Sequence, residues 1–120
     1  MPWNKVTPSL SLAIVALAIL ATRAPAAESK RETAQSVKRG AALAKTLCSR
    51  CHSIYKAGSS KDPKAPPFRL LSKNYPLNHL EEAMAEGIVT GHGAAAMPEF
   101  TLTPQQITDF ITFVKSVSSR

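Results

Sequence analysis

The chain has 120 residues, with 15 Lys and Arg against 8 Asp and Glu, for a formal charge of +7. That length holds no more than one ordinary domain, and two cysteines are too few for the disulfide scaffold that staples many small exported proteins. The basic balance is not accompanied by any nucleic-acid-reading motif; it suits acidic protein surfaces as partners, or serves only to keep the protein in solution.

Lys5 precedes an apolar run from Leu10 to Ala21, and Ala24-Pro25-Ala26 comes after it. A basic start, a short apolar stretch and a small-x-small triplet form the pattern of a secretory signal peptide, with cleavage expected after Ala26. The competing reading is an uncleaved membrane anchor. The run falls short of the roughly 20 apolar residues that cross a bilayer, and Pro8 blocks its extension backwards. Residues 1–26 are therefore read as the signal and residues 27–120 as the domain, exported to a periplasm, with no membrane span left after cleavage. Lys5 and Arg23 leave with the signal, lowering the formal charge from +7 to +5, and Trp3, the only tryptophan, leaves too.

From about Thr33 to Leu47 the residues Val37, Gly40, Ala41, Ala44 and Leu47 recur at helical spacing, while Lys38, Arg39 and Lys45 largely avoid that face. Gly40 weakens a helix interior, so its expected use is close approach of another helix, which Ala44 one turn later also permits. The alternative is that Gly40 is only a weak spot.

The helix runs into Cys48-Ser49-Arg50-Cys51-His52. Cys-x-x-Cys-His is the attachment pattern of a c-type haem. Two thiols three positions apart add across the two vinyl groups of one haem, and the next residue, histidine, is held where a neutral imidazole nitrogen binds the iron. A thioredoxin-like redox pair, half of a zinc site and a plain disulfide are the competing readings. A thioredoxin-like pair belongs in a strand-helix-strand setting, but the residues before Cys48 are Ala-rich and helical. A zinc site would need His79 or His92 at no recognisable spacing. One covalent haem c accounts for both cysteines and leaves none over. It also supplies an apolar centre for a domain too small to be stable easily by itself.

Residues 53–74 and 88–102 are rich in Gly, Pro, Ser and Lys and read as loops. Between them Tyr75-Pro76 leads into a helix from Leu77 to Glu86, stopped by Gly87, with Leu77, Leu80 and Met84 on its apolar face. His79 reads as a solvated helix residue. Met84 reads as core packing. Met97 lies instead in a loop of small residues before Pro98, where backbone can approach a flat ring, and is the candidate for the sixth iron position, with His92 as its rival. The last helix has Thr103 as N-cap, Pro104 at its first position and Gln106 completing a capping box. Ile107, Phe110, Ile111, Val114 and Val117 form one stripe, and Phe110 and Phe113 are expected against the Gly40/Ala44 surface. The class is all-α.

The order of these features resembles that of the small soluble class I cytochromes c, particularly bacterial monohaem ones, over nearly all of residues 27–120. The resemblance implies crossed N- and C-terminal helices, with short middle helices and loops around the covalent haem. It implies that a loop proline carbonyl accepts the hydrogen bond of the proximal histidine's other nitrogen. Ala65-Pro66-Pro67-Phe68 occupies that place, with Pro66 the match. Two departures stand out. The usual glycine before the proline is Ala65, and no tryptophan remains to meet a haem propionate, leaving Tyr75 or Arg69 for that task.

The expected function is one-electron transfer, not enzymatic catalysis, by a monomer with His52 and Met97 as axial ligands. Its expected partners are proteins with acidic docking faces, such as an oxidase, a cytochrome complex or a dehydrogenase. The alternatives are a haem protein with an open or labile sixth site, used for small-ligand sensing or peroxide chemistry, and a haem-free Cys-x-x-Cys thiol oxidoreductase.

Overall fold

Helix α1 runs from Pro25 to Leu47 and begins well before the apolar periodicity does. The structure, a computed structural model, describes Met1 and residues 25–87, 91–92 and 95–118. The apolar run of the expected signal lies outside the described residues, and the expected cleavage point falls in the first turn of α1. Among the described residues no helix is long and apolar enough to cross a membrane. The early start of α1 comes from propensity. Pro25 suits the first helical position, Ala, Glu, Lys, Arg and Gln dominate the next turns, and Glu28 lies in the first turn. Residues 25–35 are all exposed, so this part carries no apolar stripe for a periodicity argument to find.

Helix α4, Pro104–Val117, packs across α1. Its start is built as expected: the Thr103 hydroxyl accepts from the Gln106 amide, and the Thr103 amide donates back to Gln106 Oε1 at 2.9 Å. Ile107, Phe110, Ile111, Phe113, Val114 and Val117 are all buried. At the crossing Gly40 is required by geometry. A Cβ there would collide with the Asp109 carbonyl oxygen and lie 2.7 Å from Phe113 Cβ. The weak-spot reading of Gly40 is thereby set aside, and Ala44 beside it is wholly buried.

A polar clasp closes the same crossing. Asp109 is buried on α4 and accepts from Ser36 Oγ (2.7 Å), Arg39 Nε (2.6 Å), Arg39 Nη2 (2.9 Å) and Gln105 Nε2 (3.1 Å). A buried carboxylate is tolerable only with such partners.

Two short helices complete the core. Helix α2, Phe68–Asn74, lies within a stretch read from the sequence as loop. Seven residues span barely two turns, too few for a helical period to show; burial of Phe68 and Leu71 and a Phe68 amide donating to the Ser53 carbonyl (2.9 Å) hold it instead. Helix α3, Leu77–Glu86, has the expected bounds and ends at Gly87, whose φ of 88° lies in the left-handed region. Both pack on α4. The other stretch read as loop contains a minimal antiparallel ladder, β1 (Gly91–His92) with β2 (Ala95–Ala96). The class remains all-helical.

Candidate haem site

The helical turn of α1 continues into the motif. Cys48 and Ser49 amides donate to the Ala44 carbonyl, and Cys51 and His52 amides to that of Cys48 at 3.2 and 2.9 Å. Cys48, Cys51 and His52 thus stand at i, i+3 and i+4 of one turn, which points side chains to a common side. All three line one cleft of about 510 Å³, together with Thr46, Leu47, Arg50, Asp62, Ala65, Met97, Pro98 and Phe100. Cys48 and Cys51 are not joined in a disulfide. Burial pushes the Cys48 thiol up to about 11, so near neutrality it is a protonated thiol and not a thiolate.

His52 is buried, and its Nδ1 lies 2.8 Å from the Pro66 carbonyl oxygen. A carbonyl only accepts, so Nδ1 carries the donated proton, and in the neutral ring the lone pair falls on Nε2. The backbone around this bond is stitched tightly. The Asp62 amide donates to the Cys51 carbonyl (3.1 Å), and the Ser53 amide donates to Ser60 Oγ (3.0 Å). Gly58 turns with φ 93°, and its carbonyl accepts from Arg69 Nη1 at 2.7 Å. Arg69, one of two candidates for the propionates, is thereby engaged in closing this loop. The other, Tyr75, caps α2 and is exposed.

Met97 comes directly after β2, is half-buried and packs against the core cluster. It reaches the cleft with Pro98 and Phe100. Met84 is buried in the core. His92, the rival ligand, is placed in β1 and its side chain lies outside the described residues. His79 is exposed on α3. The cleft also involves residues that sequence reasoning did not single out. Thr46 lies one turn before Arg50 on the continuing helix, and Asp62 is brought in by its bond to Cys51. Only the helical register carried any signal for Thr46; Asp62 carried none.

The family model for Cytochrome c matches residues 37–118. The chain belongs to the cytochrome c family. The match spans the α1–α4 crossing, the Cys-x-x-Cys-His turn and the Met97 segment, and the helical architecture is that of a class I cytochrome c. The family's members are haem-based electron carriers with covalently bound haem c. No curated protein and no solved structure matches the chain at a significant level.

The residues present suit that group. Two thiols, an imidazole whose Nδ1 is bonded to Pro66, and a thioether line one cleft with apolar walls from Leu47, Ala65, Pro98 and Phe100. This is the donor set of a c-type haem and not of a hard cation, which would draw oxygen ligands.

Proposed function

We propose that this protein is an exported, monomeric one-electron carrier. Cys48 and Cys51 would hold a single haem c by thioether bonds, with His52 Nε2 and Met97 Sδ as axial ligands. The observation that carries the reading is the convergence of Cys48, Cys51, His52 and Met97 on one cleft, with His52 Nδ1 already bonded to Pro66. When bound, the haem supplies the ferrous/ferric couple.

The chain's own residues do the rest. The Pro66 carbonyl fixes the imidazole tautomer and makes Nε2 more basic. Met97 contributes a soft neutral donor, which favours the reduced state relative to a second histidine. His52 and Met97 would both donate to the haem iron and so keep water and small ligands off it, which suits a carrier that makes and breaks no bonds. Pro98 and Phe100 line the cleft beside Met97 and limit water there.

The surface suits brief docking to acidic partners, such as an oxidase, a cytochrome complex or a dehydrogenase. Arg50 is exposed and lines the cleft. Lys45, Lys61 and Lys64 are exposed chain neighbours of cleft-lining residues. Clustered positive charge at the mouth of a redox site raises encounter rates with acidic faces and loses that effect in salt. Export through residues 1–26 to a periplasm fits the N-terminal sequence. A thiol oxidoreductase is disfavoured, since its attacking cysteine needs a lowered pKa and exposure, and Cys48 has neither.

The visible spectrum of protein matured with a haem-attachment system tests the proposal. A covalent low-spin haem with a methionine–iron charge-transfer band is expected. Met97→Ala should abolish that band and lower the potential; an unchanged spectrum refutes Met97 ligation. A high-spin wild-type spectrum would indicate the open-site reading.

A further inference from the structure

The segment that supplies the Pro66 carbonyl also brings an aromatic ring against the proximal imidazole. Phe68 is 2 % exposed, and its ring centroid lies 5.4 Å from that of His52, tilted by 54°. The same ring stands edge-on to Phe110 at 5.4 Å and 85°, and contacts Phe113 at 6.4 Å and 61°. Phe68 thus touches both His52 and helix α4.

The hydrogen bond at Nδ1 and the Cβ–Cγ tether set the mean plane of an imidazole but still allow it to librate about χ2. An aromatic ring packed against the imidazole narrows that libration. The geometry supplies that contact with little slack. The ring closure of Pro66 fixes its φ, and the adjoining Pro67 restricts its ψ to extended values, which aims the Pro66 carbonyl. Pro67 itself sits at φ −61° and ψ 141°. The Phe68 amide then donates to the carbonyl of Ser53, the residue after His52, at 2.9 Å. Segments 52–53 and 66–68 are therefore joined by one backbone–backbone hydrogen bond, by the His52 ring bond to Pro66, and by contact of the two rings.

We infer that Phe68 is a positioning residue for the axial imidazole: it sets the plane of His52 and shields the His52–Pro66 hydrogen bond from water. The inference rests on the proposed ligation by His52. Phe110 and Phe113 of α4 also pack against the Phe68 ring. Dispersion and edge-to-face electrostatics make each contact directional.

The test uses the haem-loaded full chain and reads the paramagnetically shifted proton resonances of the oxidised protein together with the reduction potential. In wild type, a cross-relaxation signal between Phe68 and His52 ring protons is expected. Phe68→Leu and Phe68→Met keep an apolar side chain but remove the ring. Each should redistribute the haem methyl shifts, which depend on the imidazole plane, and raise the potential as water weakens the Pro66 bond and imidazole basicity falls. Phe110→Leu opens the same core while keeping the Phe68 ring and should leave both readouts at their wild-type values. A Phe68 variant with wild-type shifts and potential overturns the inference, as does Phe110→Leu moving them equally. Should neither Phe68 variant mature, the wild-type cross-relaxation signal decides, and its absence overturns the inference. Wild type lacking covalent pigment overturns the haem reading itself, a result distinct from all of these.

Discussion

The α1–α4 crossing and the His52–Met97 cleft differ in how they are completed. At the crossing every demand is met by the chain. The helices touch so closely that only a glycine fits at position 40, and the carboxylate of Asp109 is surrounded by donors from Ser36, Arg39 and Gln105. In the cleft the notable groups are soft donors, two thiols, an imidazole and a thioether, lying among apolar walls. Steric fit specifies the first region and ligand chemistry the second. A small domain can place its rigid half where its own residues suffice and leave a cofactor to serve as the other half of the core.

Cys48→Ala with Cys51→Ala should separate the two regions most sharply. All covalent pigment should be lost. Hydrogen exchange should then show fast amides in residues 53–67 and 97–102, while those of α1 and α4 near Gly40 and Val114 stay the slowest. Uniform exchange across both regions would show that the crossing has no order of its own.

Gly40→Val attacks the other region. Its Cβ would need the space of the Asp109 backbone, and backbone cannot swing aside as a flexible side chain can. A loss of about 3 kcal/mol or more is expected in denaturant unfolding of the haem-loaded protein. A change below about 1 kcal/mol would mean the helices do not cross at this position.

Asp109→Asn tests the clasp and should cost about 2 kcal/mol, the range for hydrogen bonds to a charged group. It should also change the acid response. The hydrogen bond from Arg39 holds the Asp109 carboxyl at about 2, against the usual 3.8, with Ser36 and Gln105 assisting and burial opposing. A lowered folded-state pKa gives stabilisation that is complete above the unfolded value near 3.8 and lost as pH falls through about 2. Wild type should therefore lose stability over that interval more steeply than Asp109→Asn. Parallel curves would refute the assignment.

Thr103→Ala should have the smallest effect, about 1 kcal/mol from the lost cap on α4, with the visible spectrum unchanged. A spectral change would show that the start of α4 is coupled directly to the cleft.

Legibility in the sequence depended on the range of the interactions. α3 and the capped start of α4 were legible because they are written locally, in Pro76, Gly87 and the Thr103–Gln106 pair. The beginning of α1 was missed because its signal is propensity without an apolar face, and α2 because seven residues show no period. In the candidate site the attachment turn was legible from the spacing of Cys48, Cys51 and His52. Asp62 was not, being drawn to the cleft by a backbone bond to Cys51. Phe68 gave no hint of its contact with His52, which depends on where α2 folds back.

The sequence by itself determined the chemistry: spacing within one helical turn is a local property, and it dictated which donor atoms could act together. Only the tertiary structure decided what surrounds them. That Gly40 meets the backbone of Asp109, that Asp109 finds Arg39, and that Phe68 links His52 to α4 are contacts between distant segments. Such contacts arise from how the helices pack against one another, which no single stretch of residues encodes.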